Sequence, residues 1–354
     1  MKVGFVYDTI YLKHDTGISK TVAGQENPEK AERLEVIMSH LERSKIKQQL
    51  KLITPRAATA EELVAVHDKQ YISYIQEFTR KGGGLLTPYT VVSRDSYEAA
   101  IYAAGGVIRA TEVVMDGGVN SAFALIRPPG HHASAQRAMG YCVFNNVAIA
   151  AKYALTAYNL ERIAIIDFDV HHGNGTQDIF YDDPRVLYVS VHGYPFYPGT
   201  GSLAETGSGK AQGTTVNLSI GKDCTDTEYL QVFEQVIAPV VRRFKPELLL
   251  ISAGYDPHWA DERGVMYVTT TGFAEMVRII KELAEELCNS RVVFSLEGGY
   301  SRTALATSVK ATFDVLLGNS DIEDPLGQPP RRFLNPYINI TPLIQTAKQI
   351  FNLE

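Results

Sequence analysis

Residues 163–177 read Ile-Ala-Ile-Ile-Asp-Phe-Asp-Val-His-His-Gly-Asn-Gly-Thr-Gln. The run 163–168 reads as a strand whose first four residues, 163–166, are apolar without alternation, as a strand covered on both faces requires. A polar cluster then ends it abruptly. Short runs at 3–6, 122–126, 186–191, 214–220, 247–252 and 292–296 also read as strands. Helical patterns lie between them. Asn27-Pro28 suits a helix start, since Asn caps and Pro fits the first helical position. Leu34, Ile37, Met38 and Leu41 then recur at helical spacing. Thr59 and Glu62 form a capping box ahead of Leu63 and Val66. Stretches 95–115, 145–158, 226–243, 271–288 and 301–317 complete the helical set. The alternation predicts an α/β fold: a mainly parallel, multi-stranded sheet flanked by helices. One domain over 1–354 is the economical organisation. The Gly-rich stretches 80–90 and 198–213 read as loops on it. Residues 318–354, with Pro325, Pro329 and Pro330, read as an extended tail packed on its surface.

Composition narrows the functional classes. Of 354 residues, 45% are apolar and 21% charged, which excludes a disordered chain, a collagen-like chain and a disulfide scaffold. Acidic residues outnumber basic ones 40 to 34, so unaided binding to nucleic-acid phosphates is disfavoured. The basic runs Arg242-Arg243 and Arg331-Arg332 are too short to change that. Cys142, Cys224 and Cys288 form no CxxC pair, so neither a zinc ribbon nor a redox motif is expected, and a reducing compartment fits. The stretch MKVGFVYDTIYLKHD lacks the long apolar region of a signal peptide. No run approaches the ~18–20 apolar residues of a membrane span. A cytoplasmic protein without a membrane partner is the expectation, with a homo-oligomer left open.

In sheets of this kind, ligands bind outside the C-terminal strand ends. Four such ends carry polar clusters: RPPGHH (127–132), DFDVHHGNG (167–175), GYD (254–256) and EGGY (297–300). In an extended segment, residues two apart share a face, so Asp167, Asp169 and His171 can converge. Asp with His suits a divalent metal; the plainer alternative is a capped strand end with a hydrogen-bonded His. Asp256, from another strand end, offers a third ligand, and three ligands leave a position open for water or substrate. Two carboxylates offset the ion's charge, so it acidifies water less than a three-His site would. A general base is then needed. His131 and His132 are the candidates, with Asp167 and Asn174 available to orient them. Gly298-Gly299 predicts a tight, mobile turn that lets the Tyr300 hydroxyl reach an oxyanion; the alternative is a packing tyrosine. Gly207-Ser-Gly209-Lys210 is not a phosphate loop, because Ala204 and Ala211 stand where Gly and Ser/Thr are required. Neither GxSxG nor GxGxxG is present.

Assembled, RPPGHH, GYCVFNN, DFDVHHGNGTQ, PGTG, SAGYD and LEGGY follow the order and spacing of the arginase/deacetylase superfamily over residues 3–317. The chain resembles its class II histone deacetylase and acetylpolyamine amidohydrolase branch. The resemblance implies a zinc-dependent deacylase, with iron(II) as the alternative metal, acting on an acyl-lysine peptide or protein or on an acetylated polyamine. Zn²⁺ would sit on Asp169, His171 and Asp256. His132 would be the general base and later the acid to the leaving amine. His131, paired with Asp167, would assist electrostatically. Asn174 would orient His132, and Tyr300 would bond the acyl oxygen. Gly140, Tyr141 and Tyr197 match residues lining the acyl-lysine tunnel. A structural K⁺ would be held by Asp167, Asp169, His171, Ser190 and Val191. Arginase-like relatives, with two Mn²⁺, carry carboxylates where this chain has Gly173 and His258, so one metal is expected. The family's GHPERxxRL start corresponds to residues 24–34, without its histidine. At the tunnel rim stand Asp261, Glu262 and Arg263: Glu262 would attract a cationic polyamine and Arg263 would oppose one. A non-catalytic acyl-lysine binding module is the remote alternative.

Overall fold

In the computed structural model, all residues are described except Met1, Thr21, Ala23, Gln25, Leu334, Pro336, Glu354 and the Arg332 side chain. Gln25 of the 24–34 start therefore lies outside the described residues. The strands are β1 (Val3–Val6), β2 (Lys51–Ile53), β3 (Gly83–Leu85), β4 (Val91–Ser93), β5 (Ser121–Ala124), β6 (Ile163–Asp167), β7 (Val186–Gly193), β8 (Thr215–Ile220), β9 (Leu248–Ala253) and β10 (Val292–Leu296). The α-helices are α1 (Glu32–Arg43), α2 (Ala60–Val64), α3 (Lys69–Arg80), α4 (Ser96–Met115), α5 (Asn146–Ala157), α6 (Asn174–Phe180), α7 (Asp226–Val232), α8 (Ala238–Phe244), α9 (Thr270–Leu287), α10 (Arg302–Leu317) and α11 (Thr341–Ile350). A π-helical turn at Phe233–Ile237 joins α7 to α8.

Eight strands form one parallel sheet in the order β2-β1-β5-β10-β9-β6-β7-β8. Side chains alternate between its faces, and helices cover both. Phe5, Phe123 and Phe294 are register partners on one face, where Phe5 and Phe123 pack against Phe313 of α10. Val6 points the other way, towards Gly106 of α4, whose missing Cβ admits the Tyr11 hydroxyl and Val6. Covered on both sides, the central strands are wholly buried. That explains why they read as apolar runs rather than alternating ones.

The capping box is present: Glu62 N donates to Thr59 Oγ1 and Thr59 N to the Glu62 carboxylate. The start at Asn27-Pro28 is corrected. Asn27 Oδ1 accepts from Glu29 N, making a local turn, and α1 begins only at Glu32. That is the ordinary competition between an Asn side chain and a helix for backbone N–H groups. The 80–90 stretch is an antiparallel hairpin of β3 and β4, not a plain loop. The tail is also corrected. It is not extended throughout, because Pro342 near the first turn of α11 starts a helix that buries Ile344 and Ala347.

Candidate active site

The sheet order makes β5, β10, β9 and β6 neighbours. Their C-terminal ends carry the four polar clusters, so segments far apart in sequence meet at one edge. Ligand atoms of Asp169, His171 and Asp256 lie within 4.8 Å of one another. His171 Nδ1 is 3.1 Å from Asp169 Oδ1 and 3.1 Å from Asp256 Oδ2. The backbone sets the carboxylates: Val170 N donates to Asp256 Oδ1 at 2.9 Å, and Gly298 N to Asp169 Oδ2 at 2.8 Å. Asp256 Oδ2 is buried and accepts no hydrogen bond.

Burial disfavours a protonated His171, but Asp169 and Asp256 outweigh it and push it up to about 10. Burial and the Asp169 charge push Asp256 up to about 6. Two buried carboxylates around one imidazole thus call for a cation, and a divalent ion fits the oxygen-and-imidazole donor set. Bound there, it would replace the proton on His171. A second carboxylate ligand set has no room. A Cβ on Gly173 would come within 2.3 Å of Asp167 Oδ2. His258 is turned away, accepting from Ala260 N.

Asp167 does not join the cluster. Its Oδ2 faces His131 Nδ1 at 3.1 Å and accepts from the Tyr188 hydroxyl at 3.1 Å. Burial pulls His131 down, yet Asp167 and then Asp169 hold it up to about 10. His132 is different. Burial and then the His131 charge hold it well below the usual histidine range. Asn174 Oδ1 lies 2.9 Å from His132 Nδ1. A carbonyl can only accept, so Nδ1 carries the hydrogen and Nε2 keeps its lone pair. The imidazole rings lie 4.0 Å apart, between centroids. Glu297, which sequence reading left unassigned, accepts from Gly130 N at 2.7 Å and His131 N at 3.1 Å, fixing the backbone beneath both histidines. His131, Cys142 and Glu297 also cluster. With the histidine and the carboxylate so engaged and the Cys142 thiol pushed up by burial, this is a satisfied network.

The Gly298-Gly299 turn is pinned, contrary to the mobile turn expected. Beyond the Gly298 bond, Arg33 Nε donates to Gly299 O at 2.7 Å, and Tyr300 N donates to Asp261 Oδ2 at 2.6 Å. The Arg33 guanidinium lies over the Tyr300 ring, 5.1 Å from its centroid. Arg33 and Arg127 share buried Glu29: Arg127 Nε donates to Oε1 at 2.5 Å and Arg33 Nη1 at 3.1 Å. Burial keeps the Tyr300 hydroxyl protonated, hence a donor.

A pocket of about 240 Å³ opens over the cluster. Gly140, Tyr141, Tyr197 and Tyr300 line it, with Tyr89, which sequence reading missed because it sits at the tip of the hairpin. Gly140 is required: its φ is +53° and a Cβ would come within 2.2 Å of the His132 ring. Tyr197 stands perpendicular to His132, centroids 5.3 Å apart. Of the two rim residues, both exposed, Arg263 lines the pocket and Glu262 is not among its lining residues. Ser190 pairs in register with Asp167, with Val191 next to it, behind the cluster rather than in the pocket.

An α/β fold with this strand order, gathering two aspartates and a histidine beside a histidine pair, defines a superfamily: arginase/deacetylase. Within it, residues 27–316 match the family model described as the histone deacetylase domain. The chain is similar to a probable deacetylase of Archaeoglobus fulgidus, 41% identical over 303 residues, covering 85% of this chain and 82% of the relative. Histone deacetylase 14, chloroplastic, of Arabidopsis thaliana is 38% identical over 343 residues, covering 92% and 81%. The crystal structure of the HDA15 HD domain superposes with a TM-score of 0.88 at 32% identity, covering 99% of this chain and 94% of that one. The chain belongs to the histone deacetylase family, a family of deacetylases, and it resembles the class II branch.

Proposed function

We propose that the chain is a zinc-dependent deacylase that hydrolyses the N-acyl amide of a long-chain primary amine, giving a carboxylate and the free amine. One observation carries this reading: a three-ligand cluster, a neutral histidine and a phenol donor share one pocket. Asp169, His171 and Asp256 would hold the ion, Zn²⁺ or Fe²⁺, whose chemistry when bound is to polarise the acyl carbonyl and acidify the attacking water. His132 accepts the water's proton at Nε2 and returns it to the departing nitrogen. His131, charged against Asp167, favours the negative charge that develops nearby. Tyr300 donates to the oxygen that gains this charge. The aromatic walls of Tyr141 and Tyr197 suit an aliphatic spacer between amide and carrier. A potassium ion on Asp167, Asp169, His171, Ser190 and Val191 belongs to the same proposal, as does an acyl-lysine protein or an acetylated polyamine as substrate. The test is release of acetate from an acetyl-lysine peptide and from N-acetylspermidine by zinc-loaded protein. Inertness towards both, with one zinc bound, would refute the hydrolase and leave a binding module.

A further inference from the structure

Resting on that reading, we infer that Trp259 is a positioning residue. Its indole N–H fastens the C-terminal tail to the loop that carries Asp256 and holds Tyr300, so that docking of the tail sets both turnover and metal affinity.

Residues 256–264 form a compact loop whose ends touch. Gly264 lies so close to the Asp256 carbonyl that a Cβ would come within 1.8 Å of the oxygen. Two hydrogen-bonded turns lead away from the candidate metal ligand: His258 N donates to Tyr255 O at 3.3 Å, and Asp261 N to His258 O at 2.8 Å. The loop then returns to the site. Buried Asp261 accepts from Arg263 N at 2.9 Å through one carboxylate oxygen, and from Tyr300 N at 2.6 Å and Ser301 N at 2.8 Å through the other. Trp259 stands between these two anchors. Moving it moves a metal ligand on one side and the backbone of the phenol donor on the other.

The tail grips this loop. Trp259 Nε1 donates to Gly327 O at 2.9 Å. Asp324 builds the turn that offers this carbonyl: its Oδ1 accepts from Leu326 N at 3.2 Å and Gly327 N at 2.9 Å, and its Oδ2 from Thr271 N at 3.4 Å. Thr271 lies in the first turn of α9, where the positive end of the helix favours a carboxylate. The chain leading into α9 is tied to the loop as well, since Val268 O accepts from Trp259 N at 2.9 Å and Val268 N donates to Pro257 O at 3.1 Å. Farther along the tail, the Phe333 ring stacks on Tyr267, centroids 5.3 Å apart.

A tie shifts the balance between docked and undocked loop by no more than its own net free energy. For one hydrogen bond that is a factor between about two and about ten. Coupling is reciprocal, so an ion that fixes Asp256 also holds Trp259 against the tail. Trp259 is the only tryptophan of the chain, so its fluorescence reports this contact.

The experiment uses the full chain as wild type, Trp259→Phe, Asp324→Ala and the double variant, with circular dichroism to establish folding. A Co²⁺ titration of the apoprotein gives metal affinity, and zinc-loaded protein with an acetyl-lysine peptide gives kcat and KM. Expected in each single variant is a fall of about two- to tenfold in both kcat and metal affinity, with KM changed less than about twofold. The double variant should lose no more than the worse single one, because both substitutions cut the same tie. Acrylamide quenching of Trp259 should fall when Zn²⁺ is added to wild type and respond less in Asp324→Ala. Should Asp324→Ala not fold, Trp259→Phe and the wild-type quenching decide. Unchanged kcat or metal affinity in Trp259→Phe, additive losses in the double variant, or quenching indifferent to Zn²⁺ overturns the inference. The two claims fail separately. Quenching that answers to zinc in a protein inert towards peptide and polyamine would refute the hydrolase and keep the tie. Turnover with indifferent quenching would do the reverse.

Discussion

Gly298→Ala tests the geometry of the candidate metal cluster most sharply. The Gly298 backbone is not in the left-handed region, so alanine adds no conformational strain. Its Cβ, however, would lie 2.3 Å from Asp256 Oδ2 and 2.6 Å from Asp169 Oδ2. Ordinary contact begins at 3.4 Å, so the carboxylates must withdraw by about 3.4 − 2.3 = 1.1 Å and 3.4 − 2.6 = 0.8 Å. Metal ligands tolerate displacements of only ~0.2 Å. Changes that merely reorient ligands cost ~10–100-fold in metal affinity. Moving both carboxylates by several times the tolerance should cost at least ~100-fold. The assay is a Co²⁺ or Zn²⁺ titration of the apoprotein, with circular dichroism to establish that the variant is folded. Gly221→Ala, where a Cβ meets nothing within 4 Å, is the control. Wild-type metal affinity in folded Gly298→Ala would refute the assignment of these oxygens to an ion.

Tyr300→Phe keeps the ring under Arg33 and removes only the donor. Turnover should fall by ~10²–10³ with metal content unchanged, and near wild-type turnover would take Tyr300 out of the mechanism. Asn174→Ala frees the His132 tautomer, so kcat should fall by ~10–100-fold while metal binding stays intact; an equal fall in metal affinity would mean a structural role. Glu29→Ala leaves Arg127, wholly buried, without its carboxylate, and unfolding free energy should drop by about 3–5 kcal/mol in a urea titration. A change under 1 kcal/mol would show that another group neutralises Arg127. Stability should also fall in acid. Burial holds His14 and His67 down to about 4, the Arg127 charge adding to it for His14. Between pH 6.5 and 4 the unfolded chain takes up protons that the folded chain refuses. Each histidine then removes about 1.4 kcal/mol per pH unit, present in full above 6.5 and lost on the way down to 4. Urea midpoints that stay flat from pH 7 to 5 would contradict this.

The central strands were legible because burial on both faces writes itself as uninterrupted apolar sequence. The edge strand β2 and the β3–β4 hairpin were not. Each of these strands is three residues long, and β3 begins Gly83-Gly84, which carries no strand signal. Helix α11 was hidden by the prolines around it, although Pro342 is itself compatible with a helix start. In the site, the residues that supply chemistry stand next to one another in short motifs, so Asp169, His171, His131 and His132 could be read directly. Their supports could not, because they act through space. Glu29, Arg33 and Arg127 meet only in the fold. Even so, a charged Arg127 continuing the apolar run 122–126, and a Glu29–Arg33 spacing of one helical turn, were available as signs of a buried ion pair. The rim behaved similarly: Glu262 and Arg263 are neighbours in sequence, and only the turn held by Asp261 decides which of them faces the pocket.

The most direct measurement is the metal content and ligand environment of protein prepared with excess Zn²⁺, by elemental analysis and X-ray absorption. One zinc per chain, bound by one imidazole and carboxylate oxygens and lost in Asp256→Ala, is the expected result. No bound zinc, or a zinc environment untouched by Asp256→Ala, would contradict the account.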